Sequence, residues 1–149
     1  MKSVLIVSTL TLSLLSANAF AHDEHASQVG SPGDAAKVSK TVEIDMNDTM
    51  RFTPATISVK RGETVKFLVK NSGKVKHEMV LGSIKELQEH AALMQKFPEM
   101  EHSDPNQISL DPGKSGELVW QFSKAGRFDF ACLQPGHFEA GMRGNIVVK

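Results

Sequence analysis

The sequence holds a single cysteine, Cys132, so no disulfide can form within the chain and its stability must come from a hydrophobic core. Charge of one sign is not in surplus either. Its 17 Lys and Arg balance 17 Asp and Glu, which leaves no basic excess for nucleic acid or an anionic membrane surface. Internal repeats and low-complexity tracts are lacking as well. No apolar run reaches the roughly 18 residues that a membrane span needs.

The longest apolar run, residues 4–15, instead has the features of an export signal. Lys2 gives it a positive start, Ser16-Ala17-Asn18-Ala19 ends it, and Ala19-Phe20-Ala21 places small residues at the two recognition positions. Cleavage is expected after Ala21, with export and no membrane association after processing. No twin arginine precedes the run, so the general secretory route is expected, with any metal acquired after export. The 128 residues that remain, with 16 basic and 17 acidic side chains, suit one domain.

Residues 22–40 are rich in Ser, Gly, Ala, Asp and Lys without an apolar period and read as a flexible, histidine-containing lead-in. The folded domain is expected over residues 41–149. There Val42, Ile44 and Met46 alternate with Glu43 and Asp45, the period of a strand with one buried face. Residues 56–60, the turn at Arg61-Gly62, and the alternating Val65, Phe67 and Val69 suggest a hairpin. Leu118, Trp120 and Phe122 share one strand face, Phe128, Phe130 and Cys132 another, and residues 144–148 form the last strand. Short strands with turn signals predict an all-β, antiparallel β-sandwich. One helical insertion interrupts it: Ser83 and Glu86 form a capping box, and Ile84, Leu87, Ala91 and Met94 recur at helical spacing until Pro98.

Exported domains of this size often carry disulfides, so the lone cysteine needs an explanation. It can be an inert buried thiol, a nucleophile, an intermolecular bridge or a metal ligand. Its neighbours favour the last. Cys132, His137 and Met142 stand in a C-x4-H-x4-M spacing on one segment between two strands. Thiolate, imidazole and thioether make a soft donor set that suits copper better than calcium or magnesium. Pro135, Gly136 and Gly141 permit the turns that aim the three donors at one point. His77 is the candidate fourth donor, because His90 and His102 fall in the helical insertion. Met79 competes with Met142 but reads more simply as core packing. Two imidazoles and a thiolate around copper, with a distant thioether, make an electron-transfer site rather than a substrate-binding one. A Cys–His catalytic pair is the enzymatic alternative, and no orienting acid accompanies it.

A remote histidine followed by C-x4-H-x4-M before the final strand resembles the cupredoxin family, which includes plastocyanin, azurin, auracyanin and the phytocyanins. The resemblance covers residues 41–149. It implies a Greek-key β-sandwich with one type 1 copper ion at one end, held by His77, Cys132, His137 and more weakly Met142, and no enzymatic turnover. The sequence departs from the family at two places. The Cys-to-His spacing is longer than in plastocyanin, and Glu78 stands where plastocyanin and azurin have the asparagine that ties the ligand loops together. The phytocyanins share this loop spacing and often have green sites, so the resemblance leaves green and blue colour both open. The His77-Glu78-Met79 segment and the histidine-bearing start resemble periplasmic cupredoxins of copper resistance. Copper tolerance is therefore the expected role, with one-electron transfer to a periplasmic oxidase or reductase as the alternative. The expected form is a monomer with a transient redox or copper-handling partner. Multicopper oxidases and nitrite reductases need H-x-H pairs, and none occurs. Three lesser expectations remain: weak additional copper at His22 and His25, a soft-metal patch of His90, Met94, Met100 and His102, and an apolar ring of Pro135 and Phe138 around His137.

Overall fold

A computed structural model describes residues 29–100 and 103–149. The expected signal, His22, His25 and His102 lie outside the described residues. Ten strands and one helix make up the described chain: β1 (Ser31–Pro32), β2 (Lys40–Asn47), β3 (Arg51–Thr53), β4 (Thr56–Val59), β5 (Thr64–Asn71), β6 (His77–Gly82), α1 (Ile84–Lys96), β7 (Gln107–Leu110), β8 (Ser115–Gln121), β9 (Gly126–Ala131) and β10 (Arg143–Val148). They build two five-stranded sheets, ordered β1-β8-β5-β2-β3 and β4-β10-β9-β6-β7. Most pairings are antiparallel, and β2–β5 and β10–β4 are parallel. The all-β sandwich with one helical insertion is as expected.

Alternation places the core. Ile44 and Met46 of β2 and Val65, Phe67 and Val69 of β5 turn inward to meet Phe122, Phe128, Phe130 and Ile146. Phe52 sets its ring edge-on to Phe130 at 4.9 Å. Each such side chain contributes about 1.5–3 kcal/mol by leaving water. A second, smaller cluster lies on the outer face of the β6–β9 sheet, where Leu87, Ala91 and Met94 of α1 cover Val80, Ala131, Leu133 and Phe138. Strand β6 is therefore buried on both faces. The helix starts at the expected capping box, with the Glu86 N–H donating to Ser83 Oγ and the Ser83 N–H donating to Glu86 Oε2.

Two expectations need correction. Strands β4 and β5 do not form a hairpin: β4 pairs with β10 and β5 with β2 and β8, so the turn at Arg61-Gly62 carries the chain from one sheet to the other. Alternation identifies a buried face, and two strands facing each other across a core show the same pattern as two strands side by side. The folded chain also begins ahead of Thr41. Val29 is fully buried, Ser31 and Pro32 pair with Gln121 and Trp120, and Ala35–Lys37 form a 3-10 turn capped by Asp34. Gly30 explains how so polar a segment packs: a Cβ there would lie 2.1 Å from the Gln121 carbonyl oxygen.

Candidate metal centre

His77 opens β6, and Cys132 follows the last residue of the adjacent β9, so pairing of these two strands sets the first two donors side by side. The loop of residues 132–142 then coils back before β10. Backbone bonds from the His137 N–H to the Gln134 carbonyl (2.9 Å), Ala140 to Gly136 (3.1 Å) and Gly141 to Phe138 (3.0 Å) hold its turns. Gly136 and Gly141 take φ of 84° and 92°, where a side chain would strain the backbone. Met142 is pinned at both ends of the loop: its N–H donates to the His137 carbonyl at 3.0 Å, and its carbonyl accepts from the Cys132 N–H at 3.1 Å.

The Cys132 Sγ lies 3.2 Å from His137 Nδ1 and 4.0 Å from His77 Nδ1. All three donor atoms lie within 4.8 Å of one another. Three donors at metal bond lengths of about 2.0–2.3 Å in a trigonal plane would stand about 3.5 Å apart, so the cluster has the dimensions of a metal cage. Among the described residues no other group of three His, Cys, Asp or Glu side chains converges in this way. His77, Cys132 and Met142 are fully buried, and only His137 is partly exposed.

Burial governs the charge state of the donors. Burial pushes the Cys132 thiol up to about 12, and the Glu78 charge adds to this, against the pull of the Glu78 and Gln134 N–H groups. A thiolate at this position therefore needs a positive charge beside it. Burial, with His77 nearby, holds the His137 imidazole below the usual histidine range and so in its neutral, ligating form.

Two carboxylates that the sequence did not mark as partners shape the cage. Asp48, in the turn between β2 and β3, receives His77 Nε2 at 3.0 Å, which leaves Nδ1 facing the sulfur. The Lys74 N–H, at 2.8 Å, and the His77 contact hold the Asp48 carboxyl below its ordinary value. Glu78, with only 6% of its surface exposed, stands at the site expected to lack the asparagine tie, yet it ties the loops itself. Its N–H donates to Cys132 Sγ (3.4 Å), and its carboxylate accepts from the Leu133 N–H (3.1 Å), the Gln134 side chain (3.2 Å) and Ser109 Oγ (3.0 Å). No sequence signal linked Asp48 to His77, 29 residues away.

Other expected residues fall differently. Met79 is buried in the inter-sheet core. Phe138 packs inward beneath α1 with the Arg143 guanidinium 4.9 Å from its ring centre, so it does not join Pro135 in an exposed apolar ring. His90, Met94 and Met100 line one cleft.

Comparison with known proteins agrees with this geometry. Residues 36–149 match the family described as copper binding proteins, plastocyanin/azurin family. The copper-resistant cuproprotein CopI of Rubrivivax gelatinosus is 56% identical over 133 residues, which cover 89% of this chain and 80% of that protein. Its namesake from Pseudomonas aeruginosa is 37% identical, with 91% of each chain covered. Among solved structures, auracyanin from Roseiflexus castenholzii superposes with a TM-score of 0.65 at 21% identity, covering 75% of this chain and 98% of that one. Auracyanin A from Chloroflexus aurantiacus gives 0.60 at 24% identity, covering 73% and 98%. A match that runs from before β2 to the last residue, and so includes the whole donor cage, places this chain in the plastocyanin/azurin family of copper binding proteins.

Proposed function

We propose that this chain is a periplasmic type 1 copper protein that serves copper tolerance, in which His77, Cys132 and His137, and more weakly Met142, would hold the ion. The observation that carries the reading is the buried sulfur with two imidazole nitrogens within 4.8 Å of it and of each other. Met142 is favoured over Met79 because its backbone is bonded to both Cys132 and His137. Bound copper supplies one-electron exchange between its two oxidation states. The chain's own residues do the rest. Asp48 orients His77, Glu78 braces the cysteine loop, and the apolar surroundings of Met142 exclude water from the cage. The copper-resistant character of the CopI relatives supports tolerance as the role. Electron transfer to a periplasmic redox partner is the second reading, favoured by the partly exposed His137, whose ring gives an electron a short exit from a buried centre.

Copper titration with optical and spin-resonance spectra tests the site. Wild type should take up one equivalent with intense visible absorption, and Cys132→Ser should fold yet lack that band. A Cys132→Ser protein that keeps both colour and affinity would refute the ligand set. Growth of a deletion strain in elevated copper separates the two roles: impaired growth supports tolerance, and unchanged growth removes it in favour of electron transfer.

A further inference from the structure

A cleft of about 360 Å³ opens beside the copper cage, between α1, the segment that follows it, and strands β6 and β7. His90 and Met94 face it from α1, four residues apart and so neighbours on one helix face. Met100 reaches it from beyond the helix, brought back by a turn in which its N–H donates to the Phe97 carbonyl at 3.0 Å. One histidine and two methionines thus line one cavity. Met94 is buried and the other two are half-buried, so the donors are partly shielded from water. Formal charge points the same way: Glu78 and Glu99 line the cleft against Lys76, a surplus of one negative charge.

Donor chemistry selects the ion. Outside the type 1 cage, no three His, Cys, Asp or Glu donors converge among the described residues, so the soft donors among those that line the cleft are one histidine and two methionines. Thioethers bind copper(I) and are poor ligands for harder ions. They also carry no proton that must first be displaced. We infer that this cleft is a second metal site that binds one copper(I) ion through His90, Met94 and Met100. It is separate from the type 1 centre but shares a wall with it: Glu78, which follows His77, and Gln134, on the cysteine loop, belong to both. The inference goes beyond the type 1 reading, whose visible band reports that centre independently.

The test is copper(I) titration of the mature protein, labelled with carbon-13 at its methionine methyls, in competition with a chromogenic copper(I) chelator. Wild type should bind one more equivalent than the double variant His90→Asn, Met100→Leu, and Met100→Leu alone should weaken that extra equivalent at least tenfold. The extra equivalent should shift the Met94 and Met100 methyl signals, and both variants should keep the type 1 band of the copper(II) form. Equal stoichiometry in wild type and double variant would overturn the inference. So would Met94 and Met100 signals that stay in place through saturation, or loss of the type 1 band together with the extra equivalent.

Discussion

Removing the Glu78 carboxylate tests the brace around the cage most directly. In Glu78→Ala the Gln134 amide and the Ser109 hydroxyl, both reachable by solvent, regain hydrogen bonds from water and contribute little to the loss. Leu133 differs, since it is 1% exposed and its N–H has the Glu78 carboxylate as acceptor at 3.1 Å. Orphaning that donor should cost about 1–3 kcal/mol, centred near 2. At about 2–4 °C per kcal/mol for a chain of this size, melting of the metal-free protein should fall by about 4–8 °C. Glu78→Gln keeps a carbonyl oxygen for Leu133, and Ser109 can reverse its hydroxyl to accept from the new amide, so its loss should stay below about 1 kcal/mol. Urea unfolding of both metal-free variants is the assay. Leu133 adjoins Cys132, so Glu78→Ala should also weaken copper affinity by about 10–100-fold, a readout that a loss of stability alone would not move. An alanine variant within about 0.5 kcal/mol of wild type, or a glutamine variant as damaged as the alanine, would refute the reasoning.

Other consequences are open to similar measurement. Asp48→Ala frees His77 Nε2 and should lower copper affinity by about 10–100-fold while the visible band persists, as competition with a chelator would show. Burial holds the Asp129 carboxyl above its ordinary value of 3.8, against the pull of Arg127 and Arg143. The folded state therefore keeps this proton more tightly than the unfolded state. The group's stabilising contribution is full below the ordinary value and is lost as pH rises through the elevated one. Asp129→Asn should flatten the metal-free stability curve across that window and raise stability at neutral pH relative to wild type, measured by urea unfolding at a series of pH values.

The parts of this molecule that were legible in sequence are those whose cause is local. Ser83 and Glu86 sit three residues apart, and the cap they form is a short-range exchange of hydrogen bonds. Cys132 and His137 share one loop, so their spacing announces the contact between them. Parts with a distant cause were hidden. Asp48 occupies a turn, where aspartate is common for conformational reasons alone, and only the fold brings it to His77. Glu78 could be recognised as a departure from the family asparagine, but the three partners of its carboxylate come from β7 and the cysteine loop. The false hairpin at β4 and β5 has the same origin, since inward alternation is shared by strands of one sheet and of facing sheets. Residues 29–40 were hidden by their polarity, because a segment held by edge pairing and one buried valine carries no apolar period.

Cys132 and His137 stand 5 residues apart on one loop, whereas His77 is 55 residues from Cys132 and arrives only when β6 docks on β9. Bringing His77 in therefore carries a loop-closure cost that the local segment does not. A chain that meets copper before docking can seize it with an incomplete, unshaped grip, and one that meets it afterwards offers a finished socket. The order in which refolding and metal are supplied should therefore decide how much coloured protein is recovered.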